Sequence, residues 1–382
     1  MIRRHLRLPA AAALVTCALG CGEGGRPAEP VLPIPTAPTG SGPTASVRVV
    51  STLTDQPVSG ASSTGASVRS TPSDGDGFVM LEASGPGRYA VRVAAAQFVT
   101  RQTTVAIPGS DARLDLIPSS FDLVAFDQMF RGATSGGRLI KWLAALALVV
   151  QRTGLLWANS PNDRYLAEDE QWTDGDIDGV IADLTFGLQT ISAGVFPAFS
   201  AIRVEQAAAG TVVTVPQAGA IVVARYRSLR GPSGDRIGGL GKTNIDAAGV
   251  IRGGMVMLDR DTELQSSSPR RLRVHEIGHV LGTSHVTSRL SFMNPDGTGG
   301  LPNEADQEAF RVAARRPPGS RSPDVDPADF TLNATGRVSL SPPPVARYAA
   351  RAERLGATPE GRRAARSRLP PAGCAGFHGR TR

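Results

Sequence analysis

The chain has 382 residues, of which 41% are apolar, 20% charged and 5% aromatic. It is long enough for two or three compact units and apolar enough to bury a core of Val, Leu, Ile and Ala, which excludes a wholly disordered chain. No apolar run reaches the roughly 18 residues of a membrane span, and the formal charge of +7 does not signal a nucleic-acid partner, because nine Arg against two Glu between Ser341 and Arg382 account for all of it.

The N-terminus has the form of an export signal. Arg3, Arg4 and Arg7 precede an apolar stretch from Leu8 to Leu19, the order of a cleaved signal peptide over residues 1–20. Ala18-Leu19-Gly20-Cys21 resembles the lipobox of bacterial lipoproteins. That resemblance implies acylation of Cys21 and a membrane partner through the lipid anchor, with the protein exported to the bacterial cell envelope or, without acylation, secreted. The three Cys (Cys17, Cys21, Cys374) are too few for a disulfide framework. Residues 21–45 hold Pro27, Pro30, Pro33, Pro35, Pro38 and Pro43 among small residues, an extended linker.

Residues 46–117 carry short alternating segments between turn clusters: Ser46–Thr52, Gly77–Leu81, Arg88–Val93 and Thr103–Ile107. Period-two positions such as Tyr89, Val91 and Val93 predict a small antiparallel sandwich. Gln56-Pro57-Val58-Ser59-Gly60-Ala61, the Asp74–Phe78 turn and Pro86-Gly87-Arg88-Tyr89 resemble the carboxypeptidase regulatory-like β-sandwich family, except that Gln97 stands where that family usually carries Gly. The resemblance implies a spacer or binding unit without catalytic residues.

From residue 118 to 330 the pattern becomes helical and mixed, an α+β order. A short helix is expected over Phe121–Arg131 and a strand over Leu143–Gln151. Asp176 is expected to cap a long helix whose stripe is Ile177, Val180, Ile181, Leu184, Leu188 and Ile191. Strands follow at Ala201–Glu205, Thr211–Val215, Ile221–Tyr226 and Met255–Leu258. Ser268 and Pro269 open a second helix that ends at Gly282, and a third covers Glu304–Ala314. Residues 331–382, rich in Pro and Arg without periodicity, are expected to be disordered.

Chemistry concentrates in one place. Of five His, three lie within eleven residues: His275-Glu276-Ile277-Gly278-His279-Val280-Leu281-Gly282-Thr283-Ser284-His285. Four residues on a helix return to the same face, so His275 and His279 can grip one ion. Gly282 can take positive φ, end the helix and return His285 as a third nitrogen. Three neutral ligands leave the fourth position of a zinc ion free for water, the arrangement of a catalytic site rather than a structural one. At this composition the full pattern is expected by chance on the order of 10⁻⁵ times.

These residues resemble the extended zinc signature of the metzincin metallopeptidases, His-Glu-x-x-His-x-x-Gly-x-x-His. Met293, in Ser291-Phe292-Met293-Asn294-Pro295, resembles the family's Met-turn, and the short gap to it resembles the matrixin branch. The resemblance implies a zincin-like catalytic domain, a twisted mixed sheet plus three helices. It further implies His275, His279 and His285 as zinc ligands, Glu276 as general base, and a protein or peptide substrate. Gly238-Gly239-Leu240-Gly241 resembles the edge strand on which such enzymes seat substrate, with Gly239, Leu240 and Gly241 as binding residues; a plain glycine loop is the competing reading. Gly297–Pro302 is expected to wall the pocket after the scissile bond. Departing from the matrixins, no Cys precedes the catalytic unit in the expected mature fold to serve as their cysteine latch, and no spare His is present for their second, structural zinc. Calcium takes carboxylates such as Asp174, Asp176 and Asp178, although a solvated helix start is the preferred reading of these. Two other functions stay open: a non-catalytic surface-binding lipoprotein with a vestigial zinc site, which the intact Glu276 disfavours, and a zinc hydrolase of a non-peptide substrate.

Overall fold

Alternating apolar residues build the first layer. Its strands are β1 (Thr44–Ser51), β2 (Ser62–Thr64), β3 (Val68–Ser70), β4 (Phe78–Ala83), β5 (Gly87–Ala94), β6 (Arg101–Ile107) and β7 (Gly109–Leu116). They form two sheets, β3-β4-β1-β7 and β2-β5-β6. Val47, Val49, Val79 and Leu81 of the first share a core with Val91, Val93, Val105 and Ile107 of the second, as two facing sheets must to stay dry. The expected all-antiparallel pairing holds except at β1 and β7, which run parallel. Gln97 has φ 65, a left-handed backbone that glycine adopts more easily.

This is a computed structural model; it describes residues 42–332 except 133–134, 159–161 and 216. The signal, Cys21, the linker up to residue 41 and the tail beyond residue 332 lie outside the described residues.

The second layer contains α1 (Leu123–Phe130), β8 (Ala147–Gln151), β9 (Thr153–Leu156), β10 (Arg164–Gln171), α2 (Asp174–Ile191), β11 (Ala201–Glu205), β12 (Val212–Thr214), β13 (Ala220–Arg227), β14 (Gly239–Ile245), β15 (Ile251–Asp259), α3 (Arg260–Gln265), α4 (Pro269–Val280) and α5 (Glu304–Ala314). The fold is α+β, with an open mixed sheet. Its strands β11, β8, β13 and β15 run parallel in that spatial order, and β14 pairs antiparallel with β15. Helix α2 packs on α4, with Ile177, Val180, Leu184 and Leu188 in one core with Val274, Ile277 and the sheet residues Val150, Val223 and Val256. No helix among the described residues is long and apolar enough to cross a membrane.

Three expectations are corrected. Asp176 is not the cap of α2: Thr173 is, and Asp176 at the third helical position returns a bond to Thr173 N, closing a capping box. The strand expected from Leu143 begins only at Ala147, and Leu143 is largely exposed, so its apolar run is not all core. The boundary of the tail also moves. Residues 324–332 return to it, with Gln102 N donating to Asp324 O at 2.9 Å and Leu332 N to Thr104 O at 2.7 Å. Leu332, assigned from sequence to the disordered tail, is buried in the sandwich core.

Buried ion pairs close this seam. Arg316 Nε meets Asp324 at 2.6 Å, and Arg101 Nη2 meets Asp326 at 2.8 Å, all essentially inaccessible to solvent. Arg315 bridges Asp55 and Asp115 at 2.6 and 2.7 Å.

Candidate metal centre

Helix α4 is held firmly before it carries any chemistry. Arg273 donates to Asp183 of α2 at 2.8 Å and to Glu263 of α3, and Arg225 of β13 meets Glu263 at 2.8 Å. At the other end, Trp142 Nε1 donates to Val280 O at 2.8 Å. Contacts from α2, α3 and β13 and from Trp142 thus fix the position and rotation of the histidine face.

The three histidines converge as expected from their spacing. Ring centroids are 4.9 Å apart for His275 and His279, 5.3 Å for His275 and His285, and 4.8 Å for His279 and His285. Gly282, with φ 99, ends α4 and lets the chain turn back to deliver His285. His275 Nδ1 donates to Phe292 O at 2.8 Å, and His279 Nδ1 donates to Thr283 O at 2.9 Å. A carbonyl only accepts, so each Nδ1 carries the hydrogen and each Nε2 presents a lone pair.

The fit to a metal rests on these nitrogens. His275 Nε2 and His285 Nε2 stand 3.3 Å apart, and about 3.3 Å separates neighbouring ligand nitrogens around a tetrahedral ion at 2.0–2.1 Å. The three ligand atoms all lie within 4.8 Å of one another, so the three histidines can hold a metal ion. Burial first, then the neighbouring His285, lowers His275 to about 4, and burial followed by the other two imidazoles lowers His279 well below its usual value. Both are therefore neutral ligands at neutral pH.

Glu276 is almost fully buried beside this cluster. The segment read as an edge strand is one: among the described residues β14 pairs with β15 alone, and Gly239, Leu240 and Gly241 open it. It passes so close to α4 that a Cβ at Gly239 would lie 2.7 Å from Glu276 Oε1, and one at Gly241 would lie 2.5 Å from His279 Cβ. The glycines are what bring a strand edge alongside the histidines.

Met293 lies under the helix. A Cβ at Gly278, one residue before His279, would meet Met293 Sδ at 2.7 Å and the Phe292 ring at 2.6 Å. Sequence reasoning missed the residue that holds this turn in place. Asp306, at the third position of α5, accepts from Ser291 Oγ at 2.8 Å and from Phe292 N at 3.2 Å, while its partner Arg289 lies at 3.0 Å. Asp306 thereby fixes the peptide whose carbonyl orients His275. The spacing Asn303-x-x-Asp306 announces the capping box that forms there, but not this second task.

Gly297–Pro302, expected to wall a pocket, packs its Gly299 against the Ser291–Asn294 turn and its Gly297 against Arg271. Asp174 and Asp176 serve the start of α2: Asp174 pairs with Arg152 at 2.5 Å and Asp176 closes the capping box. Fold and site together define an α+β chain with a buried three-histidine cluster competent for a metal ion. No protein-family model matches the chain, and no curated protein is similar to it.

Proposed function

We propose that the chain is a zinc-dependent endopeptidase of the metzincin type, matrixin-like, exported and lipid-anchored through Cys21. The observation that carries the reading is the convergence of His275, His279 and His285 on one point, with the Nε2 atoms of His275 and His285 3.3 Å apart, the Nδ1 atoms of His275 and His279 each locked by a carbonyl, and the buried Glu276 adjacent. The sheet order, the antiparallel edge strand against the site helix and Met293 beneath it support the same assignment.

His275, His279 and His285 would hold the zinc ion. When bound, it supplies a Lewis acid for the substrate carbonyl and lowers the pKa of a water towards 7. The chain does the rest. The open edge of β14 hydrogen-bonds an extended peptide and lays its backbone across the histidine face. Glu276 takes the proton of the attacking water and returns it to the departing amine. Its burial beside Gly239 limits the orientations it can adopt.

The test is Glu276→Ala in the zinc-loaded protein. Zinc content should be retained while casein or peptide cleavage falls at least about 10²-fold, the usual worth of a general base. Cleavage equal to wild type would point to a vestigial site or a contaminant. An unbiased peptide digest separates a peptidase from a zinc hydrolase of another substrate. Acyl labelling that disappears in Cys21→Ala tests the anchor.

A further inference from the structure

Helix α4 opens with three arginines, and the structure uses two of them. Arg270 meets Asp183 at 2.6 Å, and Arg273 meets Asp183 at 2.8 Å and also pairs with Glu263. Arg271 is half-buried, and among the described residues no carboxylate lies within ion-pair distance of it. It does not sit on the anchoring face of its two neighbours. Four residues before His275, it continues the stripe of His275 and His279, one helical turn of about 5.4 Å further along the axis.

Its guanidinium lies over the segment that follows Met293. A Cβ at Gly297 would be 2.9 Å from Arg271 Nη2 and 3.5 Å from its Cζ. The acid beside this segment, Asp296, feels the Arg271 charge, but its hydrogen bonds go to Thr298: its carboxylate accepts from Thr298 N at 3.0 Å and from Thr298 Oγ1 at 2.8 Å. A planar cation is thus held near the histidines, with Asp296 in its field but no carboxylate bonded to its fork among the described residues. A half-buried guanidinium is screened less than a surface one, and its fork matches a carboxylate in two parallel bonds.

Resting on the peptidase reading above, we propose that Arg271 is a specificity residue that selects substrates carrying a carboxylate close to the bond cleaved. An extended peptide advances about 3.3 Å per residue, so one helical turn corresponds to one or two residues from the scissile bond. The carboxylate has two sources of the same chemistry, an Asp or Glu side chain or the free C-terminus of a short substrate.

The test uses the zinc-loaded full chain and matched fluorogenic peptides with Glu or Gln at the positions flanking the cleaved bond, each as free acid and as amide. Wild type should favour the carboxylate form about tenfold in kcat/KM, the equivalent of about 1.4 kcal/mol. The ratio should fall to near one in Arg271→Ala and shift towards Lys-containing peptides in Arg271→Glu. Dependence on Glu or on the free terminus identifies the source. Equal handling of acid and neutral peptides by wild type, or an unchanged ratio in Arg271→Ala, overturns the proposal. A second measurement does not need turnover: anisotropy of the same labelled peptides on zinc-loaded Glu276→Gln, with and without Arg271→Ala. An Arg271-dependent preference in binding, with no hydrolysis by wild type, would sink the peptidase reading and leave carboxylate recognition standing. No preference in binding or in cleavage would sink the recognition itself.

Discussion

Two buried polar clusters in this chain are built on opposite rules. At the seam between the layers, Arg316 faces Asp324 and Arg101 faces Asp326, so each buried cation has a buried anion of its own. At α4, three imidazoles bring one nitrogen each towards a common point, and the Nε2 atoms of His275 and His285 stand 3.3 Å apart. The first cluster balances its charges among its own side chains and reads as structure. The second brings three imidazole nitrogens within reach of a single ion, and that convergence fits a cation. Buried polar groups need partners because desolvation is costly in either cluster; only the source of the partner differs.

Breaking the seam should have the largest effect on stability. Asp324→Ala leaves Arg316 buried without its anion, a loss of about 3–5 kcal/mol, measurable by denaturant unfolding. Because residues 324–332 run along β6, both layers should unfold in the same transition. A loss under 1 kcal/mol, or separate transitions, would mean that the seam does not join them.

The metal should separate the two clusters cleanly. Zinc at a hundredfold excess over its Kd should stabilise the folded chain by about 2.7 kcal/mol. That gain should vanish in His279→Ala and survive in Asp324→Ala. A gain that persists without His279 would put the ion elsewhere.

The most gradual effect is the response of the metal-free chain to acid. His275 titrates at about 4 when folded against 6.5 in the reference state, and burial is the main cause. Above pH 6.5 it is neutral folded or unfolded and costs nothing. Between 6.5 and about 4 the unfolded chain takes up a proton that the folded chain refuses, so stability falls by up to about 1.4 kcal/mol per pH unit. His279 is lowered in the same sense. Zinc should shift that acid limb to lower pH, because protons and metal compete for the same lone pairs. An acid limb unaffected by zinc would detach these histidines from the ion.

What could be read from residue order alone was local. The stripe of α2, the span of α5, the breaks around the sandwich strands and the three histidines with Gly282 all depend on neighbours within one or two turns, where 3.6-residue or two-residue periodicity acts directly. Even there, Thr173 and Asp176 are three apart and both can cap, so only the coordinates show which one does. The antiparallel pair β9 and β10 and the short α3 carry weaker periodic signals, too weak to mark them. The tertiary structure alone decided the rest. Arg101 and Asp326 are separated by 225 positions, and no pattern in the chain announces that residues 324–332 complete the sandwich. Asp306 orders the Met293 turn, and through the carbonyl of Phe292 it reaches His275. Ligand spacing is a property of one helix and its cap and is therefore written in sequence; the partners that aim those ligands come from chain ends brought together only when the core closes.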